Sequence, residues 1–315
     1  MDNAFRCCRL CPRQCGVNRL HGEIGFCGET AQLRVAWIEP HFGEEPPISG
    51  THGSGTVFFS GCTLQCDFCQ NYQLSHLHLG NLTTVADVVQ RLETLSVTQG
   101  IHNVNFVTPD HFFPYTIEIM SALRKNNIRI PSVYNMSGYE RIDSLRGIAD
   151  CADIYLPDFK YADRQLGERL AHCRNYPVAA LDAIAEMVRQ KGFLDVFLAG
   201  DPDQIARQGV LVRHLILPGQ VQNSIDALSM LFLEFGKDLP LSVMSQYHPV
   251  DPCRIPGFER RITEDEFQQV YEHALSLGFH HLFVQYPERQ NAPPEFLPDF
   301  SQERPFKGNI KVSEK

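Results

Sequence analysis

Thr56-Val-Phe-Phe-Ser60-Gly61-Cys62-Thr-Leu-Gln-Cys66-Asp-Phe-Cys69-Gln-Asn71 is an apolar strand running into a loop with cysteines spaced C-x3-C-x2-C. Three thiolates on one short loop leave one iron of an iron–sulfur cube without a protein ligand. A structural metal site closes all its positions, whereas a reactive site keeps one open for a small molecule. The spacing therefore reads as a [4Fe-4S] cluster on Cys62, Cys66 and Cys69 with one iron reserved. The competing reading is a zinc site that borrows its fourth ligand from elsewhere in the chain.

Around this loop, apolar runs alternate with amphipathic segments, the pattern of a βα repeat with a parallel sheet. The predicted strands are Thr56–Ser60, Asn103–Val107, Pro131–Tyr134, Asp153–Leu156, Val210–Leu217, Leu241–Met244 and His281–Gln285. Between them, Val85–Leu95 has helical spacing with Thr84 as N-cap and Gly100 as stop. Ile225–Phe235 is opened by Ser224, and Thr263-Glu-Asp-Glu266 is a capping box before Phe267. Residues 160–209 hold a helix, Val178–Gln190, and an extra strand-like run, Phe193–Leu198, without a clear place in the repeat. Polar residues gather where the strands end, at Thr108-Pro-Asp-His111, Asn135-Met-Ser-Gly138, Asp158-Phe-Lys160 and Ser245-Gln-Tyr-His248, which marks the active face of a β/α barrel.

At 315 residues and 43% hydrophobic content, the chain can bury one large α/β core. It contains neither an apolar run long enough to span a bilayer nor a signal segment at Met1, so a cytoplasmic protein without membrane partners is expected. Eleven cysteines at metal-ligand spacings favour metal over disulfides. A net charge of −9 argues against a nucleic-acid partner, which needs a basic face. No G-x4-G-K-[ST] or G-x-G-x-x-G run occurs. His21-Gly-Glu23 with Cys66-x-x-Cys69 fails as a zinc deaminase, because Gln65 replaces the proline and Cys62 is left unexplained.

Residues 1–50 have little apolar periodicity and read as a cysteine-rich cap, followed by a barrel over 51–290 and a tail over 291–315 lying on the surface or fraying. Cys8, Cys11, Cys15 and Cys27 give C-x2-C-x3-C-x11-C, a closed four-thiolate site for zinc or a second iron–sulfur cluster, with Cys7 as a spare. Arg6, Arg9, Arg13 and Arg19 interleave these cysteines. They serve either to dock an acidic flavodoxin or ferredoxin or to offset the thiolate charge.

The C-x3-C-x-aromatic-C-x-N loop after an apolar strand resembles the cluster loop of the radical S-adenosylmethionine superfamily. Cys8-Arg-Leu-Cys11-Pro-Arg-Gln-Cys15, Tyr155-Leu-Pro-Asp-Phe-Lys160, Arg213-His-Leu-Ile-Leu-Pro-Gly219 and Met244-Ser-Gln-Tyr-His-Pro249 extend the resemblance to the pyruvate formate-lyase activating enzyme-like group. It implies a partial (β/α)6-type TIM barrel, a [4Fe-4S] cluster, S-adenosylmethionine on the open iron, and reductive cleavage to a 5′-deoxyadenosyl radical that abstracts hydrogen. In that group Asp158 and Lys160 would position the methionine end of the cofactor. Arg213, inside an apolar strand, needs a partner, either the cofactor carboxylate or a protein carboxylate. Asn135 and Ser137 are placed to reach the ribose, and Phe68 to pack near the adenine. Activases carry a G-G-E run after the second strand. Here Val107-Thr108-Pro-Asp-His111 stands instead, leaving backbone carbonyls at Thr108 to meet the cofactor's amino group.

The expected function is hydrogen abstraction from an unidentified substrate, the most specific version being a glycine of a partner enzyme. The alternative is a non-catalytic iron–sulfur or zinc protein for electron relay or sensing. Asp110, His111, Gln246, Tyr247 and His248 are candidate substrate contacts, and Cys253 a candidate radical quencher.

Overall fold

The computed structural model describes residues 2–197, 204–251, 253–287 and 297–306. Ten strands are present in these residues: β1 (Arg34–His41), β2 (Ser54–Phe59), β3 (Asn81–Leu82), β4 (Val104–Val107), β5 (Ser132–Met136), β6 (Ile154–Pro157), β7 (Gly209–Val210), β8 (Val212–Leu215), β9 (Leu241–Met244) and β10 (Leu282–Val284). Their order is β3-β1-β2-β4-β5-β6-β7 in one sheet and β10-β9-β8 in the other. A parallel bridge between Asp158 and Arg213 joins the sheets, so the parallel strands curve continuously from β2 round to β10 as a partial barrel.

Each strand read from the sequence is found with its ends displaced by no more than two residues. Val210–Leu217 is broken at Leu211, because the chain there leaves β6 as its partner and joins β9. The run Phe193–Leu198 is not a strand. Phe193 makes one bridge to Val210 and Asp195–Phe197 is a 3-10 turn, while Leu198 lies outside the described residues.

Side chains alternate across the sheet as pleating requires. Val104, Phe106, Tyr134, Tyr155 and Val212 face the helices in the main core. Val133, Ile154, Leu156 and Leu211 face inward and form a separate cluster with Ile48. Ile48 comes from the β1–β2 connection, whose short helix Pro46–Ser49 plugs the barrel interior. Its backbone is held by Asn103, which donates to the Ile48 carbonyl at 2.8 Å, and by Ala206 N–H to the Pro47 carbonyl at 2.8 Å. A β/α barrel is normally filled by its own strand side chains. Here a loop shares that task.

The helices over Val85–Gln99 and Glu264–Leu277 carry complete capping boxes at Thr84/Asp87 and Thr263/Glu266 and stop at left-handed Gly100 and Gly278. The helix expected from Ser224 starts earlier, at Val221, straight after the Pro218-Gly219 turn. Ser224 is buried inside it, with its hydroxyl 2.9 Å from His214 Nε2. Residues 297–306 of the tail pack Phe300 and Phe306 against Phe58, with Phe306 also against Trp37.

Candidate active site

The cysteine loop leaves β2 through Gly61, whose φ of +82° suits glycine. A Cβ at this position would come within 2.6 Å of Glu29 Cγ and 2.7 Å of the Cys27 carbonyl, so the cap closes directly onto the loop. Beyond it, the Leu64 and Gln65 amides point at Cys62 Sγ (3.3 and 3.5 Å), and the Tyr161 hydroxyl donates to Cys66 Sγ at 3.2 Å. Burial pushes the Cys66 thiol up to about 12, against the opposing pull of the Lys160 ammonium and Tyr161, and it raises Cys62 and Cys69 as well. Such thiols stay protonated until a metal takes the proton's place.

These three thiols, and no fourth cysteine, line one cleft that opens to solvent. Among the described residues no set of three His, Cys, Asp or Glu side chains is closed to metal-bonding geometry. Three sulfurs converging on a cleft, with N–H and O–H donors aimed at them, nevertheless fit a cube held at three corners.

Phe68, Thr108, Asn135, Ser137, Asp158, Lys160 and Arg213 all line the same cleft. Asp158 pairs with Lys160, and both are largely buried. Burial pulls the Lys160 ammonium down, but Asp158 and Cys66 outweigh it and hold it above its ordinary value. The Tyr176 hydroxyl sits 2.8 Å from the Ser137 and Asp158 carbonyls and ties the ends of β5 and β6 together. Gly138 makes this approach possible, since at φ +82° an added Cβ would overlap the Asp158 carbonyl. Gly138→Ala is expected to destabilise the protein by about 2–3 kcal/mol. A denaturation midpoint equal to wild type would show that the strand ends are free to separate.

Deeper in the cleft, Arg213 binds two carboxylates from the β1–β2 connection. Its Nε lies 3.0 Å from Glu45 Oε1, and Nη2 pairs with both Glu44 and Glu45. Protein carboxylates, one of the two kinds of partner the sequence left open, thus pair with Arg213. Glu44 also accepts from Asn105 Nδ2 at 2.7 Å and Asn135 Nδ2 at 3.2 Å. Burial favours its neutral form, but Arg213 and His41 outweigh that and hold the carboxyl below its usual range. Neither glutamate was legible from the sequence, because they sit in an irregular Gly43-Glu-Glu-Pro-Pro47 stretch far in sequence from their partner Arg213.

Thr108 has φ +55°, which is rare for a β-branched residue, at the strand end beside the cleft. Strain of about 1–3 kcal/mol exceeds the roughly 0.4–1 kcal/mol of extra unfolded-chain freedom a glycine brings. Thr108→Gly is therefore expected to raise stability by about 1 kcal/mol. An unchanged or lower urea midpoint would mean that the Thr108 side-chain contacts outweigh the strain.

Other candidates fall elsewhere. Asp110 and His111 do not line the cleft. Both are buried beneath the cap, where the Arg19 guanidinium donates to the His111 carbonyl at 2.6 Å. Burial and the Asp110 charge hold the neighbouring Glu140 carboxyl well above its ordinary range. Gln246, Tyr247 and His248 line the cleft, although the Tyr247 hydroxyl is committed to the Phe258 carbonyl at 2.6 Å. Phe68 packs on the rings of Tyr247 and Phe258. Cys253 is half-buried, and it does not line the cleft. Phe306, from the tail, forms part of the wall.

In the cap, Cys8, Cys11 and Cys27 are buried, and Cys7 and Cys15 are exposed. Of the interleaved arginines, Arg19 is fully buried, with its guanidinium on the Glu29, Thr30 and His111 carbonyls. Arg13 stacks on Phe26 and donates to the Thr63, Ala171 and His172 carbonyls. Of the four, Arg6 and Arg9 are exposed, whereas half-buried Arg13 and buried Arg19 fasten the cap through these backbone carbonyls.

A parallel β/α partial barrel with a three-thiol loop at the mouth of its cleft defines a class of iron–sulfur enzymes that use S-adenosylmethionine. The radical SAM superfamily model matches residues 56–226, more than half of the chain, and the chain belongs to that superfamily. Membership implies a [4Fe-4S] cluster, S-adenosylmethionine and an external source of electrons. The uncharacterized protein MJ0674 of Methanocaldococcus jannaschii is 28% identical over 288 residues, covering 86% of this chain and 75% of its own. Among solved structures, Streptococcus suis SuiB bound to S-adenosylmethionine aligns with a TM-score of 0.49 at 12% identity, over 72% of this chain and 48% of its own. Methylornithine synthase (PylB) aligns at 0.46 and 14% identity, over 81% and 74%. This chain thus spans about half the length of SuiB. Among the described residues no helix is long and apolar enough to cross a membrane.

Proposed function

We propose that this protein reductively cleaves S-adenosylmethionine and uses the resulting radical to abstract hydrogen from a substrate held in the barrel cleft. The observation that carries this reading is that Cys62, Cys66 and Cys69 share one cleft with Asp158, Lys160, Asn135 and Arg213. When bound, the cluster and S-adenosylmethionine supply a one-electron cleavage that yields the 5′-deoxyadenosyl radical. The chain's own part is to hold and shield. The three cysteines would hold the cube, with Tyr161 donating to Cys66. Asp158 and Lys160 form a charge pair beside the thiols, suited to the ammonium and carboxylate of a methionine moiety. Asn135, Ser137 and Phe68 offer polar and aromatic surface for the ribose and adenine, and Thr108 presents backbone carbonyls from its strained turn.

A backbone glycine of a partner protein is the most specific substrate version, supported by the D-x-K run Asp158-Phe-Lys160 and the R-x4-P-G run from Arg213. The reductant would be a flavodoxin or ferredoxin. Cys8, Cys11, Cys15 and Cys27 would hold a four-thiolate centre, iron–sulfur or zinc. Anaerobically reconstituted protein, reduced with dithionite in the presence of S-adenosylmethionine, is expected to release 5′-deoxyadenosine and methionine. A full, reducible barrel cluster whose spectrum ignores S-adenosylmethionine would overturn the reading in favour of electron relay or sensing. A glycyl-radical signal on a partner would select the activase version.

A further inference from the structure

The partial barrel leaves a seam. Its strand order ends with β10 at one edge and with β1 and β3 at the other, and among the described residues no strand joins these edges. The tail residues 297–306 lie across that seam. At the β10 side, Leu297 lines a small recess with Gln285 and Pro287, which follow β10. Midway, Gln73, just past Cys69, donates from Nε2 to Asp299 Oδ1 at 3.0 Å and accepts the Phe300 N–H at 2.6 Å. At the β1 side, the centroid of the Phe306 ring lies 5.3 Å from that of Trp37 and 4.6 Å from that of His41.

The tail is built as a compact loop for this crossing. The Asp299 N–H donates to the Pro305 carbonyl at 3.0 Å, and Asp299 Oδ1 accepts the Ser301 N–H at 3.1 Å. This closure brings the Phe300 and Phe306 rings together, 5.9 Å apart between centroids, and both rest on Phe58. No residue of 297–306 belongs to a strand, so side-chain packing and Gln73 seat the loop in place of a backbone ladder. Phe58 turns into the cleft while Val57 and Phe59 face the helices, and Phe306 continues the Phe58 wall. Asn135, Asp158 and Lys160, at the ends of β5 and β6, supply the polar wall assigned above to S-adenosylmethionine. A polypeptide that offers a backbone glycine must both enter and leave the cleft, and two extended segments lie about 4.8 Å apart between axes before side chains are counted. An open seam between edge strands would take them, whereas a small molecule needs only the solvent-facing mouth.

We propose that Phe306 is a specificity-determining residue: seated by the tail loop in the barrel seam, it makes the cleft a size filter that takes a small-molecule substrate and excludes a polypeptide loop. This inference rests on the proposed function only in taking the cleft as the place where substrate reacts. It narrows that function to a small molecule, against the partner-glycine version.

The test uses the reduced, metal-free full chain and two thiol reagents, N-ethylmaleimide and a polyethylene-glycol maleimide. Labelling of Cys62, Cys66 and Cys69 is read by mass spectrometry relative to exposed Cys7. In wild type the bulky reagent is expected to lag the small one by about tenfold or more, because it must wait for the loop to open locally. Phe306→Ala should abolish most of that lag, and Phe306→Leu, which keeps apolar bulk, should retain it. Trp37 is the single tryptophan of the chain and touches Phe306, so its fluorescence reports seating independently. Phe306→Ala should shift its emission to the red and raise quenching by acrylamide. Asp299→Ala, which weakens the Gln73 fastening and leaves the ring intact, should move both readouts the same way and serves if Phe306→Ala fails to fold. Equal labelling of wild type by both reagents would overturn the proposal. So would an unchanged Trp37 signal in Phe306→Ala, or a shifted signal with the bulky reagent still excluded. A glycyl radical raised on a partner protein would overturn the filter and leave the proposed function standing. Absence of S-adenosylmethionine cleavage by reconstituted wild type, with the labelling pattern as expected, would remove the proposed function and leave the filter.

Discussion

Arg213→Met is expected to cost the folded protein about 3–5 kcal/mol, because it leaves Glu44 and Glu45 buried without their shared cation. Arg213, Glu44 and Glu45 are each less than a tenth exposed at the side chain, so solvent screening offers little relief. The gross attraction is not the source of the effect. A buried pair gains little over a well-packed apolar replacement, whereas removing one partner exposes the desolvation cost of the other. The companion variant Arg213→Met/Glu44→Gln/Glu45→Gln should therefore recover much of the loss, and Arg213→Lys should recover only part, because an ammonium cannot fork across two carboxylates. Urea denaturation followed by circular dichroism reads all three. A loss below about 1 kcal/mol for the single variant would put this triad in the class of screened surface pairs and remove it as the floor of the cleft.

Cys66→Ala is expected to reduce 5′-deoxyadenosine release to the level of cluster-free protein and to remove about four irons per chain. Two thiols cannot hold a cube that three support, and the remaining Cys62 and Cys69, raised by burial, are poor ligands until a metal displaces their protons. Tyr161→Phe is the graded control. It removes the hydroxyl 3.2 Å from Cys66 Sγ while leaving the thiol in place. Losing such a support costs about 10–100-fold in metal affinity or activity. Turnover by Cys66→Ala comparable to wild type would mean that the loop is not the catalytic cluster site.

The barrel was legible because its physics is local. Buried parallel strands such as Val104-Asn-Phe-Val107 read as short apolar runs, and Thr84, Gly100, Thr263 and Gly278 punctuate the helices by their own side-chain and backbone preferences. The metal-ligand spacing was legible because thiols on one loop need no tertiary information. What could not be read depends on distant contacts. β1 carries Pro40 and is mostly half-buried, so Arg34–His41 shows neither clean alternation nor an apolar run. Glu44 and Glu45 acquire meaning only when Arg213 arrives 168 residues later. Asp110 and His111 follow a strand as active-site residues do, yet both are buried, with the His111 ring on the Ser60 carbonyl and the cap's Arg19 on the His111 carbonyl. The early start of the helix at Val221 was hidden because Ser224, a plausible cap by type, is drawn inward by His214.

The plug formed by the β1–β2 connection bears on how this protein can be taken apart. The residues matched by the superfamily begin at position 56, yet the counter-charges for Arg213 lie at 44 and 45. A fragment cut at the family boundary would carry a buried guanidinium with no anion and a barrel with a hole in its base. The heritable module and the folding module therefore differ in extent. Any chimera that transplants this catalytic barrel must bring the preceding strand and its two glutamates along with it.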